Sequence, residues 1–298
     1  MLYGCIDIGT NTTRVLVADA RDGRLEEVLQ QKAFTRLGRG LRAGGTISPA
    51  KIAETARVVA AQRAVADGLG AVVRTVATAV IRRAANQAEF CAAMRAHGGV
   101  DVCVLDGEEE ARLAFLGATR TLGTPLRGRV AVVDVGGGST EIAVGTVAGG
   151  VEWCESFDFG SGFFADTYLH GDPPGAGELA AVREHAAAAL EGVRPPAVQS
   201  AVAVGGSAAS LRRLVGPVLE PGALERALGV LCGAPAAEVA TRYDLDHERV
   251  KLLPAGLLAL DAAAQLLGLP LQIGRGGLRE GVLLDMAGPR PGDRGSGA

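Results

Sequence analysis

The chain has 298 residues, 48% of them hydrophobic, which is enough to bury one large core or two cores of ordinary size. Its 30 basic and 33 acidic residues give a formal net charge of −3, which argues against a broad nucleic-acid or anionic-membrane surface, because both need an extended basic patch. A polyanion held in one local groove is compatible with this charge.

The first predicted element is a strand, a tight turn and a second strand over residues 4–18, and its turn reads DIGTNTT from Asp7. The same pattern returns over 130–145 as VAVVDVGGGSTEIAVG. The two segments align without a gap at a constant offset of 127, which matches Asp7 with Asp134. Two copies of one hairpin predict two domains related by duplication.

Helical and strand patterns alternate along the rest of the chain. Helices are expected over 49–69, 84–97, 106–118, 176–192, 207–215, 221–231, 234–241, 254–267 and 278–286. Strands are expected over 72–77, 100–105, 201–204 and 271–273. This alternation predicts an α/β fold. The tail over 288–298 has no apolar anchor and is expected to be disordered.

Neither export nor membrane insertion is indicated. The first eleven residues, MLYGCIDIGTN, have no basic start and no cleavage site, and no apolar run approaches the length of a bilayer span. The five cysteines are far apart and form no Cys-x-x-Cys pair, which argues against a disulfide framework and a zinc site. We therefore expect a soluble cytoplasmic protein that binds neither nucleic acid nor membrane.

Both hairpin turns are rich in Gly, Ser and Thr, so each exposes backbone N–H groups and hydroxyls that can cradle phosphate oxygens. The residues concerned are Thr10, Asn11 and Thr12 in the first turn and Gly136, Gly137, Gly138 and Ser139 in the second. One such turn alone could be an ordinary hairpin, but a pair facing each other across a cleft favours a phosphate site. The turn Gly205-Gly206-Ser207, with Ser207 as helix cap, is either an anion site at a helix N-terminus or an ordinary turn between a strand and a helix.

Carboxylates flank these turns. Asp7 and Asp134 precede them at strand ends, and Glu141 follows the second turn. Paired carboxylates beside a phosphate cradle can hold Mg²⁺, directly or through its waters, and the ion would neutralise charge on a transferred phosphoryl group. The alternative is an aspartate that bonds to the N–H groups of its turn. Both readings stay open for Asp7, whereas metal binding is favoured at Asp134.

Two further clusters could take part in chemistry. Three consecutive glutamates, residues 108–110, occupy the first turn of a helix, where the helix dipole stabilises carboxylates and Asp106 can serve as N-cap. One of the three is a candidate general base for activating water, but the residues alone do not choose which. Arg82 and Arg83 follow a strand, where loops of α/β sheets meet ligands, so one of them is a candidate phosphate contact.

Together these motifs resemble the exopolyphosphatase and guanosine pentaphosphate phosphatase (Ppx/GppA) family of the actin, Hsp70 and sugar-kinase superfamily. The matching pieces, in the family's order, are DIGTNTTR at 7–14, ATAVIRRAAN at 77–86, GEEEARLAFLG at 107–117, DVGGGSTE at 134–141, AVGGSAAS at 203–210 and GLREG at 277–281. DVGGGSTE together with the EEEAR helix is specific, whereas the glycine turns alone would fit any member of the superfamily. Longer family members continue into further helical domains, so the resemblance is to the short, two-domain form.

The resemblance implies two ribonuclease-H-like, actin-like domains, over 1–122 and 123–298, with the active site in the cleft between them. The last helix, 278–286, is expected to pack back on the first domain. The implied activity is Mg²⁺-dependent release of terminal orthophosphate from inorganic polyphosphate, with Mn²⁺ as an alternative metal. A homodimer is also implied.

Carried over residue by residue, the resemblance makes Glu110 the general base and Arg82 the arginine that contacts substrate phosphate. Asp134 and Glu141 match the family's metal and water-positioning acids, and Asp7 is a third candidate metal ligand. The two hairpin turns match its phosphate loops, and Gly206 with Ser207 is kept as a further phosphate contact.

Three alternatives stay open. A pppGpp 5′-phosphatase would use the same groups, and the sequence does not separate it from an exopolyphosphatase. A non-catalytic sensor of polyphosphate or nucleotide is disfavoured, because a pure binder of polyanions gains nothing from acids clustered in its cleft. A kinase or ATPase of the same superfamily would need an adenosine pocket, and the EEEAR helix argues against it.

Overall fold

The computed structural model describes residues 1–288 except 22, 40, 42–44 and 124. Within these residues the first sheet contains five strands: β1 (Leu2–Ile8), β2 (Thr13–Arg21), β3 (Arg24–Ala33), β4 (Val72–Ala77) and β5 (Val102–Val104). Their order is β3-β2-β1-β4-β5. The first three form an antiparallel meander, and β4 and β5 continue the sheet in parallel with β1.

The second sheet repeats this arrangement. Over the same described ranges its strands are β6 (Val130–Val135), β7 (Thr140–Thr146), β8 (Gly150–Phe157), β9 (Ser200–Val204), β10 (Val218–Leu219) and β11 (Leu271–Ile273). The order is β10-β11-β9-β6-β7-β8, with β9 and β11 parallel to β6. Five of these strands, in the order β8-β7-β6-β9-β11, therefore follow the order of the first sheet, and β10 is added at one edge.

Helices cover both sheets. In chain order they are α1 (Pro49–Gly68), α2 (Ala79–Arg83), α3 (Gln87–Gly98), α4 (Gly107–Thr121), α5 (Ser161–Tyr168), α6 (Ala176–Leu190), α7 (Gly205–Val215), α8 (Pro221–Leu231), α9 (Ala236–Tyr243), α10 (His247–Val250), α11 (Leu253–Leu267) and α12 (Leu278–Ala287). The predicted α/β fold is confirmed. Among the described residues, no helix combines the length and apolarity that a bilayer crossing requires.

The duplication of the hairpin extends to its register. Ile8 pairs with Thr13 in the first copy, and the residues 127 positions later, Val135 and Thr140, pair in the second. Because the side-chain period of a strand is two, an identical register puts matching positions on matching faces. The two turns are thus equivalent structures as well as similar sequences.

The segment after β4 differs from the prediction. The helix expected over 84–97 is α3, which begins at Gln87, whereas the short helix α2 before it was not predicted. Between them, the Asn86 side chain accepts from the N–H of Ile47 and donates to its carbonyl, both at 2.9 Å, so the chain is held at the break. Arg82 and Arg83 therefore lie on the one-turn helix α2 and not in a loop, which corrects their predicted placement.

Besides the two-residue strand β10 and the short helix α10, the prediction also lacks strands β3 and β8 and helix α5. Both strands are edges of their sheets, and an edge strand buries few side chains, so its alternation of polar and apolar residues is weak. Helix α5 has eight residues, which is shorter than the window in which helical periodicity is reliable.

The predicted helix cap at Ser207 is wrong. Helix α7 begins two residues earlier, at Gly205, and its N-cap is Val204. By contrast, Asp106 caps α4 as expected, because its carboxylate accepts from the N–H of Glu109 at 2.8 Å. The expected disordered tail from 289 onward lies outside the described residues.

The last helix, α12, follows the second sheet in the chain but packs against α4 and the first sheet. Its Leu278, Val282 and Leu283 share a buried cluster with Cys5, Leu16, Val76 and Leu113. We propose residue 122 as the boundary between two domains, because α4 ends at Thr121 and the second sheet begins at Val130.

Two glycines allow α12 to approach α4 closely. A Cβ on Gly117 would overlap the carbonyl of Gly277, and a Cβ on Gly281 would overlap the carbonyl of Leu113. Arg112 of α4 also pairs with Asp285 of α12 at 2.8 Å. The crossing depends on backbone contact that any larger residue would prevent.

Gly281→Ala should lower the free energy of unfolding by about 1–3 kcal/mol, because the added methyl group overpacks the crossing. Gly229→Ala is the matched control: this glycine is also helical, but a Cβ there meets no atom within 4 Å. The control should be stabilised by about 0.4–1 kcal/mol through lower entropy of the unfolded chain. Urea unfolding measures both, and equal effects of the two substitutions would contradict the proposed close crossing.

Candidate active site

The two hairpin turns meet at the wall of one cavity. A Cβ on Gly137 would lie 2.7 Å from Asn11 Nδ2, and a Cβ on Gly138 would press on the Thr10 hydroxyl, so the turns touch. The cavity has a volume of about 280 Å³. The charged residues lining it are Asp7, Arg14, Glu27, Glu110, Asp134, Arg249, Arg275, Arg279 and Glu280.

The carbonyl groups of Thr10, Asn11 and Thr12 in the first turn all accept backbone hydrogen bonds. The N–H of Gly38 donates to the Thr10 carbonyl, that of Arg36 to the Asn11 carbonyl, and that of Gly9 to the Thr12 carbonyl, each at 3.0 Å. The carbonyl and N–H of a planar trans peptide point in opposite directions. Fixing the carbonyls therefore fixes the direction of the N–H groups that follow them.

The second turn is held in the same way by other groups. Ser161 N–H donates to the Gly136 carbonyl, and Gly162 and Phe163 N–H donate to the Gly137 carbonyl, all at 2.9 Å. The turn thus rests on the start of α5. Within the described residues, the N–H groups of residues 137–139 have no hydrogen-bond acceptor, as a cradle for anionic oxygens requires.

Asp7 and Asp134 stand at equivalent positions near the ends of β1 and β6 and line the cavity. Burial, followed by the nearby carboxylates of Glu141 and Asp7, raises the pKa of Asp134 to about 7. Burial also raises the pKa of Asp7, although the Arg279 and Arg14 guanidinium groups oppose this. Asp7 Oδ1 is buried and has no hydrogen-bond partner among the described residues.

These two aspartates fit Mg²⁺, but not as a complete cage. No three carboxyl, imidazole or thiol groups among the described residues lie close enough to hold a metal ion by themselves. That Asp7, Asp134 and Glu141 bind the metal, directly or through its waters, therefore stays a prediction. Mg²⁺ usually binds one or two carboxylates together with waters and substrate phosphates, and an unpartnered Asp7 oxygen beside a desolvated Asp134 suits that mode.

Glu110 lies on the first turn of α4 with a buried side chain. Burial raises its pKa well above the usual range, the Glu141 carboxylate raises it further, and a hydrogen bond from Arg82 lowers it. Arg82 Nη1 donates to Glu110 Oε2 at 2.9 Å and to the Leu105 carbonyl at 2.8 Å. A carboxylate with a raised pKa, held in a fixed position, is suited to accept a proton from water near neutral pH.

Most of the residues predicted for the site line this cavity: Asp7, Thr10, Asn11, Thr12, Glu110, Asp134, Gly136, Gly137, Ser139 and Gly206. Arg82 and Glu141 do not line the cavity and lie behind the residues that do. Glu141 is 2% exposed, and its Oε1 accepts from the Ser156 hydroxyl at 2.8 Å. Gly138 faces Thr10 and Arg83.

The structure does not bring Ser207 to the cavity. Its side chain is fully buried against Gly256 of α11, and its hydroxyl has no hydrogen-bond partner in the described chain. The prediction that Ser207 binds phosphate is therefore wrong. Gly206 does line the cavity, because α7 already begins at Gly205 and turns Ser207 inward.

Sequence analysis missed a pair of arginines. Arg14 and Arg249 converge on Gly206, where an added Cβ would lie 2.8 Å from Arg14 Nη2 and 2.7 Å from Arg249 Nη2. Neither guanidinium has a carboxylate within 4 Å in the described ranges, although Arg14 Nε donates to the Thr12 hydroxyl at 3.1 Å. Burial, followed by the charges of Arg279 and Arg249, lowers the pKa of Arg14 to about 10.

One of these arginines could have been found from the sequence. Arg14 closes the DIGTNTTR motif and, in a hairpin, must lie opposite Asp7. Arg249 lies in the short helix α10 and belongs to no motif. Only the packing of α10 beside the cavity brings it to Gly206.

Comparison with known proteins agrees with this geometry. A model of the Ppx/GppA phosphatase family matches residues 16–289. Exopolyphosphatase 1 of Mycobacterium tuberculosis is 29% identical over 309 residues, covering 95% of this chain and 88% of that protein. Exopolyphosphatase 2 of the same organism is 34% identical over 251 residues, covering 80% and 78%. The solved structure of the Aquifex aeolicus PPX-GPPA enzyme has a TM-score of 0.78 at 30% identity, covering 96% of this chain and 99% of that one.

Without divalent metal, the free energy of unfolding should fall between about pH 4 and pH 7 by a few kcal/mol. The folded protein keeps a proton on Asp134 up to about pH 7, whereas the unfolded chain releases it near 3.8. This contribution to stability is therefore present at low pH and lost as the pH rises through 7. Thermal unfolding in EDTA across this range measures the effect.

Asp134→Asn should reduce that pH dependence, while Asp101→Asn, at an exposed aspartate, should leave it unchanged. Adding Mg²⁺ should raise the Tm of the wild type more at pH 8 than at pH 6, because the ion competes with the proton. A wild-type Tm in EDTA that rises with pH would contradict the burial of these carboxylates.

Proposed function

The chain belongs to the Ppx/GppA phosphatase family, and on this premise we propose that it is an exopolyphosphatase, which releases terminal orthophosphate from inorganic polyphosphate by Mg²⁺-dependent hydrolysis. One observation carries the proposal. The same cavity combines turn N–H groups without an acceptor, two arginines without a carboxylate partner in the described chain, and a buried carboxylate positioned as a base.

The anion-binding side consists of the two turns and the arginine pair. Arg249 is 7% exposed, and a buried guanidinium without a carboxylate partner is costly unless an anion pairs with it. Arginine matches the oxygens of phosphate geometrically as well as in charge. A chain of phosphates, each with its own charge, would satisfy both the turns and the arginines at once.

The catalytic side is Glu110 with Arg82. Glu110 accepts a proton from a water molecule, and the water oxygen forms a bond to the terminal phosphorus. The bond between that phosphorus and its bridging oxygen breaks, and the shortened polyphosphate leaves with the bonding electrons. Arg82 holds the Glu110 carboxylate in place. The N–H groups of the two turns stabilise the oxygens of the transferred phosphoryl group.

Asp7 and Asp134 are the residues that would hold Mg²⁺. When bound, the ion offsets negative charge on the substrate phosphates. A homodimer and the use of Mn²⁺ in place of Mg²⁺ stay predictions. Relatives that are named exopolyphosphatases support polyphosphate over pppGpp as substrate, although both end in a phosphoanhydride.

Glu110→Gln should lower kcat for phosphate release by about 10²- to 10⁴-fold, because the variant cannot accept the proton from water. The matched control is Glu108→Gln, an exposed glutamate on the same helical turn, which should keep wild-type activity. The assay measures release from long-chain polyphosphate, tripolyphosphate, pppGpp and ATP, with Mg²⁺ or with EDTA.

The ranking of the four substrates decides between an exopolyphosphatase, a pppGpp phosphatase and a non-catalytic sensor. Faster turnover of pppGpp than of either polyphosphate would replace the exopolyphosphatase proposal with a pppGpp phosphatase. Tight polyphosphate binding without release from any substrate would leave a sensor.

Arg249→Ala should raise KM for polyphosphate by about tenfold to a hundredfold, the effect of losing a charged hydrogen bond to the substrate. It should not lower the Tm, because the guanidinium has no carboxylate partner within 4 Å in the described chain. Arg213→Ala is the control, since this exposed arginine pairs with Asp244 at 2.9 Å. A normal KM together with a lower Tm would show that Arg249 is structural and not a substrate contact.

A further inference from the structure

Arg83 connects the two sides of the cleft through the second hairpin turn. It lies at the end of α2, directly after β4 of the first sheet. Its Nη2 donates to the Gly138 carbonyl at 2.8 Å, and its Nη1 donates to Asp158 Oδ1 at 2.7 Å. Both acceptors belong to the second-sheet side of the molecule.

The Gly138 carbonyl is held differently from the other carbonyls of the turn. Those of Gly136 and Gly137 are held by N–H groups of α5, which belongs to the same side. In the described residues, the Gly138 carbonyl is held by the Arg83 side chain. The second turn is therefore completed by a group from the first-sheet side.

The bond determines the direction of one N–H group. The carbonyl of Gly138 and the N–H of Ser139 share a planar peptide and point in opposite directions. With the carbonyl on Arg83, the Ser139 N–H points away from Arg83. Ser139 lines the cavity, and its N–H has no acceptor in the described part of the chain.

We propose that Arg83 is a positioning residue that orients the Gly138–Ser139 peptide toward the phosphoryl group, so that the second phosphate loop is complete only when both sides of the cleft are together. This inference rests on the proposed function. Neighbouring arginines then have separate roles: Arg82 holds the base, and Arg83 holds the loop. Helix α2 thereby sets the position of the attacking water relative to the phosphorus.

Asp158, at the protein surface, supports the hydrogen bond between Arg83 and the Gly138 carbonyl. Its side chain is 81% exposed, so its ion pair with Arg83 is screened by water and contributes little stability by itself. The carboxylate instead limits the rotamers of Arg83 and keeps Nη2 on the Gly138 carbonyl. The Gly138 bond is the essential one of the two.

Kinetics test the proposal first. Arg83→Ala should lower kcat by about tenfold to a hundredfold with little change in KM, which is less than the loss of a transition-state donor itself. Arg83→Lys should recover part of kcat, because its ammonium group can still donate to the Gly138 carbonyl. Asp158→Asn should have a smaller effect than Arg83→Ala.

The matched control is Lys32→Met. Lys32 pairs with Asp246 at 3.3 Å, so this substitution also removes an ion pair between the two sides without touching either turn. It should keep the wild-type kcat. If it lowers kcat as much as Arg83→Ala does, loss of general docking explains both, and the proposal is wrong.

A second measurement does not depend on turnover. In the Glu110→Gln variant, saturating tripolyphosphate should slow amide hydrogen exchange in the peptide that contains residues 136–139. In Glu110→Gln/Arg83→Ala, at saturation verified by calorimetry, this protection should be lost. Equal protection in both variants would overturn the role of Arg83 and leave the proposed function intact. No binding of tripolyphosphate by Glu110→Gln would overturn the proposed function, and the role of Arg83 with it.

Discussion

The contact between the two hairpin turns requires glycine on one side. Asn11 and Thr10 of the first turn occupy the space where side chains of Gly137 and Gly138 would lie. Because the turns touch, their N–H groups converge on one small cavity, and the strand ends beside them bring Asp7 and Asp134 to its wall. Glu110 reaches the same cavity from α4, which connects the two sheets that carry the turns.

The two equivalent hairpins carry opposite charges at one matched position. In the strand register, Arg14 lies opposite Asp7 in the first hairpin. The equivalent residue of the second hairpin, Glu141, lies opposite Asp134. Burial, followed by the Glu141 carboxylate, raises the pKa of Asp134 and of Glu110, whereas burial, followed by the charges of Arg279 and Arg249, lowers the pKa of Arg14. Each cluster is costly by itself, because buried like charges repel without water to screen them. A metal ion on the acidic side and a polyanion on the basic side would relieve both.

The cleft is joined by a few contacts of different character. The crossing of α4 and α12 at Gly117 and Gly281 is close backbone packing, which does not depend on exposed charges. By contrast, the ion pairs Lys32–Asp246 and Arg36–Glu248 are partly exposed and join β3 and the segment after it to α10 and its cap. A rigid crossing together with weak, exposed ion pairs is the arrangement expected of a cleft that opens for its substrate and closes around it.

The sequence by itself determined the two matching hairpins, the cap at Asp106 and the position of the glutamate-rich helix α4. Each of these features depends on residues close together in the chain. It misplaced Ser207 and Arg82 and missed Arg249. Ser207 is turned inward by packing on α11, Arg82 lies in a one-turn helix that hydrophobic periodicity cannot detect, and Arg249 reaches the cavity only because α10 packs beside it. These positions depend on which distant segments pack together, and the spacing of residues within one segment does not predict that packing.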